Sequence, residues 1–159
     1  MKITIAGIGK IKEKWMRDGI AEYTTRLTPI ARVETIEISE EKMPENPPPA
    51  VKEKILETEA EKLLRTAGRA DYTVLLDLTG REVSSVDLAE LFQKEMLTGK
   101  NSFTFLIGGP YGNGESLRRA ADFRLKLSPM TFTHQMTRLI LIEQIYRAMK
   151  IMRHEPYHL

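Results

Sequence analysis

The sequence predicts an α/β fold with a mostly parallel sheet and helices on both faces. Strand-like and helix-like segments alternate along the 159 residues, five of each. The segments YTVLLDL (72–78) and SFTFLIG (102–108) are almost continuously apolar, which is typical of strands covered on both faces. Because alternating strands and helices are joined by crossovers, their strands pair in parallel. The length predicts a single domain, 1–159.

The first part of the chain contains two strands, a helix and a loop. Residues 2–9 (KITIAGIG) alternate and are rich in β-branched side chains, which predicts a strand. In residues 11–27 the apolar side chains recur at helical spacing, and the helix is expected to end before Pro29. Residues 31–39 alternate again and predict the second strand. Four prolines in EEKMPENPPPA (40–50) predict a stiff, exposed loop.

The middle of the chain repeats the helix–strand–helix order. Residues 51–67 carry an apolar face and predict a helix, and the third strand follows at 72–78. Either Ser84 or Ser85 can cap a helix over residues 86–97, since both hydroxyls stand directly before its apolar positions.

The last part of the chain predicts two strands and two helices. Residues 102–108 form the fourth strand, a short helix starts after Asn113–Gly114, and 123–127 form the fifth strand. The longest helix covers roughly 133–153, and apolar side chains occupy well over half of its circumference. We therefore expect one side of this helix to pack on the sheet and the other on a second subunit.

Composition narrows the possible functions. The chain has no cysteine, which excludes disulfides, thiolate metal sites and a cysteine nucleophile. Net charge is +2, but residues 100–159 hold 9 Lys and Arg against 4 Asp and Glu, an imbalance that favours an anionic partner. The alternative explanation of this charge imbalance is a modest fluctuation in a solvated surface of mixed charge. The N-terminus is a poor signal peptide and no segment is long and apolar enough for a membrane span, so we expect a soluble, cytoplasmic protein.

The glycine-rich stretch FLIGGPYGNGESL (105–117) follows the fourth strand. It is not a P-loop, because Glu115 stands where that pattern requires lysine. It is not a dinucleotide fingerprint, because Leu117 stands where the third glycine is required. Two interpretations remain: a loop that binds a ligand such as adenine through backbone groups, or a tight turn without a ligand.

Two other chemistries lack support. The sequence has no G-x-S-x-G nucleophile elbow. The three histidines, His134, His154 and His158, have no metal-ligand spacing, since Pro156 interrupts the HEPYH segment. We therefore expect no metal site.

Several segments together resemble one family. FLIGGPYG, LSPMTFTHQMTRLILIEQIYRA and the closing PYH, together with KITIAGIGKIKEKW and LLDLTGREVSS, are similar to the RlmH-type enzymes of the SPOUT superfamily. The resemblance spans essentially the whole chain. It implies a C-terminal trefoil knot, a homodimer, and methylation of N3 of a pseudouridine in 23S rRNA of the ribosome, with S-adenosylmethionine (SAM) as cofactor.

The resemblance also implies a cofactor site at three strand ends. Its residues are Leu76, Gly108, Leu127, Ser128, Pro129, Met130, Thr131 and Phe132. Backbone groups there would bind the adenine, and apolar side chains would enclose it. One departure is Thr133, which stands where many relatives have proline and is expected to loosen the start of the last helix.

The tail and the last helix supply the remaining candidates. His158 is the candidate base for removing the N3 proton, with Tyr157 holding the target base and Glu143 as the alternative proton acceptor. Candidate contacts to RNA phosphates are Arg138, Arg147, Lys150 and Arg153. The alternatives are a non-catalytic RNA-binding or ribosome-associated module, and an enzyme that uses ATP or NAD.

Overall fold

The computed structural model describes residues 1–157 and confirms the predicted α/β class. The strands are β1 (Lys2–Ile8), β2 (Arg32–Ile38), β3 (Tyr72–Glu82), β4 (Ser102–Ile107) and β5 (Phe123–Lys126). The helices are α1 (Lys14–Leu27), α2 (Pro49–Ala67), α3 (Ser85–Leu97), α4 (Glu115–Ala120) and α5 (His134–Met152).

The five strands form one sheet in the order β2-β1-β4-β3-β5. Each strand pairing within residues 1–157 is parallel, as predicted. The strands β4, β3 and β5 are consecutive in this order and run parallel. Their carboxyl ends therefore lie on the same side of the sheet, next to one another. The loops that follow these strands therefore meet, which is where open α/β sheets bind ligands.

Helices cover both faces of the sheet. Ile3 and Ile5 of β1 belong to a core that includes side chains of α1, α3 and α5. Ala6 and Ile8 belong to a second core with side chains of α2 and α4. The alternation of β1 side chains between the two cores explains why its sequence reads as almost continuously apolar.

Helix α5 lies between α1 and α3 on one face of the sheet. Gly19 of α1 allows a close approach, since an added Cβ would lie 2.9 Å from Cδ1 of Leu139. Much of the apolar surface of α5 is thus covered within the chain, whereas Ile140 and Ile151 are only partly buried. The expectation that a second side of α5 packs on another subunit stays a prediction.

Helices α1 and α2 begin more than one residue away from the predicted start. Helix α1 begins at Lys14 rather than residue 11, because the backbone before it is held in an extended form: the amide of Ile11 donates to Glu37 (3.0 Å), and Arg17 donates to the carbonyl of Lys12 (2.7 Å). Helix α2 begins at Pro49, inside the predicted loop, because proline fits the first turn, where its missing N–H costs no hydrogen bond.

Of the two candidate caps for α3, the structure selects Ser84. Its side chain accepts from the amide of Asp87 (3.1 Å), and the carboxylate of Asp87 accepts from the amide of Ser84 (2.7 Å). This reciprocal pair satisfies two backbone donors at the start of the helix.

Arg138 joins α5 to the carboxyl end of β1. The side chain is only 5% exposed, and its Nη2 donates to the carbonyl oxygens of Ile8 and Gly9, the latter at 2.8 Å. The guanidinium lies against the α-carbon of Gly7, where an added Cβ would be 2.5 Å from Nε of Arg138. The position of α5 therefore requires a residue without a side chain at position 7.

We predict that Gly7→Ala lowers the free energy of unfolding by about 1–3 kcal/mol, because the new methyl group displaces a buried, hydrogen-bonded guanidinium. Gly19→Ala is the matched control. Its methyl group meets the flexible end of Leu139, and alanine favours the helix, so a smaller change is expected. Urea denaturation of both variants measures the difference. Equal stability of Gly7→Ala and wild type would contradict this role of Arg138.

Candidate active site

A cavity of about 610 Å³ opens at the carboxyl ends of β3, β4 and β5. Its volume lies within the range of small-molecule sites. Seven of the eight residues expected to bind the cofactor line it, namely Leu76, Gly108, Leu127, Ser128, Met130, Thr131 and Phe132, whereas Pro129 does not. The structure thus brings together three segments that are far apart in the sequence.

The glycine-rich loop forms one wall of this cavity. The side-chain amide of Asn113 donates to the carbonyl of Leu76 (2.9 Å), which ties the loop to the end of β3. An added Cβ on Gly108 would lie 2.2 Å from Oδ1 of Asn113, and Gly112 has a φ of 106°. The glycines therefore serve both a tight turn and a close approach. Because Gly108, Gly109 and Gly112 also line the cavity, this tight turn is part of the cavity wall, which supports the interpretation as a ligand-binding loop.

A buried carboxylate supports the end of β3. Asp77 is 5% exposed and accepts hydrogen bonds from the amide and the hydroxyl of Thr79 (3.1 and 3.0 Å). It also accepts from Nε of Arg118 in α4 (3.1 Å), and a guanidinium nitrogen of Arg124 in β5 lies 3.5 Å away. These contacts hold three elements together beside the cavity.

Local hydrogen bonds shape the loop between β5 and α5. The hydroxyl of Ser128 accepts from the amide of Met130 (3.0 Å), and that of Thr133 accepts from the amide of Met136 (3.1 Å). Thr133 is therefore the N-cap of α5. The expectation that threonine loosens the helix start is wrong, because its side chain provides the acceptor that a helix N-terminus lacks.

His134, the first residue of α5, also lines the cavity. Its Nε2 is buried and has no hydrogen-bond partner among residues 1–157. Burial, assisted by the positive charge of Arg138, lowers the pKa of His134. The sequence suggested this residue only as a poor metal ligand. Its place directly after the cap of the last helix was the signal that could have assigned it to the cavity wall.

Two of the three candidate catalytic residues lie together but outside the cavity. The hydroxyl of Tyr157 donates to Oε1 of Glu143 (3.1 Å), which also accepts from Arg147 (2.7 Å). The ring of Tyr157 packs edge-on against Tyr146, with centroids 4.9 Å apart. None of these side chains lines the cavity of its own chain. The third candidate, His158, lies outside the described residues.

Burial raises the pKa of Tyr157, and so do its hydrogen bond to Tyr23 and the negative charge of Glu143. The phenol therefore remains protonated at neutral pH. In this environment Tyr157 is a hydrogen-bond donor and not a base.

The four candidate RNA contacts occupy different environments. Arg138 is buried, so its guanidinium is not available to a surface phosphate, and we remove it from the proposed contacts. Arg147 pairs with Glu143, and both Lys150 and Arg153 pair with Glu155. The side chain of Arg153 is the most exposed of the three, at 54%.

Two features are absent from residues 1–157, a membrane-spanning helix and a cluster of metal-ligating side chains. No helix in this range is long and apolar enough to cross a membrane. In the same range, no three His, Asp or Glu side chains are grouped so that they could hold a metal ion.

Comparison with known proteins identifies the family. A family profile described as "Predicted SPOUT methyltransferase" matches residues 1–158. The chain belongs to the SPOUT methyltransferase family. Membership implies the C-terminal trefoil knot, which strand order and periodicity do not predict.

Full-length relatives agree with the family assignment. The chain is 46% identical over 158 residues to "Ribosomal RNA large subunit methyltransferase H" of Carboxydothermus hydrogenoformans, a match that covers 99% of each chain. Proteins with the same name from Desulforamulus reducens and Ruminiclostridium cellulolyticum are 46% and 44% identical, again over 99% of each chain.

The lowered pKa of His134 gives a prediction for stability. Protonation of His134 is less favourable in the folded than in the unfolded state. The contribution of His134 to the free energy of unfolding is therefore fully present above the ordinary histidine pKa of 6.5 and decreases as the pH falls below it. We expect His134→Gln to flatten this acid limb in thermal unfolding between about pH 7 and pH 5. His154→Gln, at an exposed position, is the control and should keep the wild-type slope. An unchanged slope in His134→Gln would show that His134 does not carry the effect.

Proposed function

We propose that this SPOUT protein uses SAM to methylate N3 of a pseudouridine in 23S rRNA of the large ribosomal subunit. The names of its relatives state large-subunit rRNA methylation. The observation that carries the proposal is the cavity at the carboxyl ends of β3, β4 and β5, with its seven expected cofactor residues. The proposal treats residues 1–159 as one cytoplasmic methyltransferase domain.

The cavity fits SAM in size and in chemistry. Its walls combine apolar side chains, such as Leu76, Leu125 and Phe132, with the exposed backbone of two loops. Apolar side chains suit the faces of an adenine ring, and backbone N–H and C=O groups suit its polar edge. When bound, SAM supplies an electrophilic methyl group on a sulfonium.

The chain's contribution to this reaction is mainly positioning, since methyl transfer is an in-line displacement. The weakly acidic N3 proton of the target must also be removed, so a positioned base helps. We propose His158 as that base, with Glu143 as the alternative. Tyr157 has a raised pKa and donates to Glu143, so we assign it to holding the target base and the carboxylate rather than to proton removal.

We further propose that the enzyme is a homodimer in which the tail of one chain serves the cavity of the other. The supporting observation is that Glu143, Arg147 and Tyr157 do not line the cavity of their own chain. A second copy provides a way to bring them to the cofactor. Arg147, Lys150 and Arg153 remain the proposed RNA contacts from this region.

The alternative is a non-catalytic RNA-binding or ribosome-associated module. It predicts affinity for RNA without transfer of a methyl group. The two are separated by incubating the protein with radiolabelled SAM and either unmethylated ribosomes or free 23S rRNA, followed by mapping of the labelled nucleotide. We expect label at one pseudouridine, and more from assembled ribosomes. Binding to ribosomes without label in either substrate would support the alternative.

We predict that Gly108→Val weakens SAM binding by at least about tenfold, because the new side chain collides with Asn113 and displaces the loop. Calorimetric titration with SAM measures the change, and circular dichroism verifies folding. Gly19→Ala, at the contact between α1 and α5, should bind SAM like the wild type. Unchanged affinity in Gly108→Val would remove the glycine-rich loop from the cofactor site.

The assignment of the base gives a separate prediction. At saturating SAM, we expect His158→Ala to lower kcat about 100-fold or more, with unchanged SAM affinity. Full methylation by this variant would show that His158 is not the base. A loss confined to Glu143→Gln would transfer the role to Glu143.

A further inference from the structure

Two large apolar side chains stand exposed at the mouth of the cavity. Leu78, just beyond the buried part of β3, is 60% exposed, and Met130, in the loop before α5, is 74% exposed. Both line the cavity, although Leu78 belongs to β3 and Met130 to the loop between β5 and α5. Another exposed leucine, Leu97 at the end of α3, is 88% exposed and does not line the cavity.

The backbone fixes the outward position of Leu78. The register between β3 and β5 is irregular between Leu76 and Arg81, so Leu78 lies in a segment that departs from regular pairing. The preceding residue, Asp77, is buried and bonded to Thr79 and Arg118. Because Asp77 is anchored inward, its neighbour Leu78 is held at the surface beside the cavity. Its exposure is therefore built into the fold.

The charges around the mouth indicate which partner covers this apolar surface. Lys12 lines the cavity, is exposed, and has no ion pair among residues 1–157. Of the other charged residues on the wall, Asp77 is bonded to arginine and Lys126 to Glu82, which leaves Glu13 as the acid that offsets Lys12. Lys10 is also exposed, so the segment 10–13 carries a net positive charge at this side of the chain. An apolar surface next to a cationic segment suits an unpaired nucleotide, whose base has an apolar face and whose phosphate is anionic.

We propose that Leu78 and Met130 form an apolar seat on which the target base of the RNA packs next to the cofactor. This inference rests on the proposed function. N3 lies on the pairing edge of a uracil-type ring, so it can be methylated only while that edge is unpaired and turned toward the cofactor. Enzymes that act on an extruded base hold its faces between apolar or aromatic side chains. Leu78 and Met130 supply that contact at the entrance to the cofactor cavity.

The test compares Leu78→Ser with Leu78→Met and Leu97→Ser in steady-state methylation of unmethylated ribosomes. We expect kcat/KM for ribosomes to fall about tenfold in Leu78→Ser, since the base loses an apolar partner. Leu78→Met keeps the apolar surface and should stay within about twofold of wild type. Leu97→Ser removes a still more exposed leucine that lies outside the cavity, and this variant should behave as wild type. In all three variants, calorimetry should give wild-type SAM affinity.

Three results would contradict the proposal that the target base packs on Leu78 and Met130. SAM affinity that falls in parallel with kcat/KM would assign Leu78 to the cofactor site. Unchanged kcat/KM would show that the base does not pack there. A change in molecular mass by sedimentation equilibrium would show that Leu78 contacts a second copy of the chain. Failure of the proposed function is distinguishable from these results, because in that case the wild-type protein itself would not methylate ribosomes.

Discussion

The site depends on a buried cation that fixes the last helix to the first strand. Arg138 donates to the carbonyls of Ile8 and Gly9 at the carboxyl end of β1, where backbone acceptors have no further strand residue to pair with. Burial lowers the pKa of Arg138, and the negative charges of Glu37 and Glu40 oppose this effect. A buried charge is tolerated only where hydrogen bonds replace water. This requirement sets where α5 begins, and with it the position of the loop that precedes α5.

The cavity is a consequence of that anchor and of the strand order. The consecutive order β4-β3-β5 brings the loops beyond these strands together, and the space is closed from the side by Phe132, in the loop before α5, and by His134, the first residue of α5. Asn113 then ties the glycine-rich loop to β3, and Asp77 ties β3 to α4. A cavity with walls fixed in this way is preorganised for a rigid ligand, which lowers the entropic cost of binding.

Much of this fold was predictable because its signals are local. Apolar runs identified β3 and β4, and hydroxyl side chains before the apolar positions limited the cap of α3 to Ser84 or Ser85, of which the structure selects Ser84. The burial of Arg138 was not predictable, because it depends on Gly7, which lies 131 positions earlier in the sequence. The packing of α1 and α3 against α5 was not predictable for the same reason. Helical periodicity shows that a helix surface is buried, but it does not show which element buries it. The cofactor residues came from family resemblance and not from spacing.

The proposed function requires that the cavity binds SAM and not a nucleotide held through its phosphates. Calorimetric titration of the wild-type protein with SAM, ATP and NAD under identical conditions is the most direct test. We expect saturable binding of SAM, with no heat of binding from ATP or NAD at the same concentrations. Binding of ATP or NAD, or the absence of SAM binding, would contradict it.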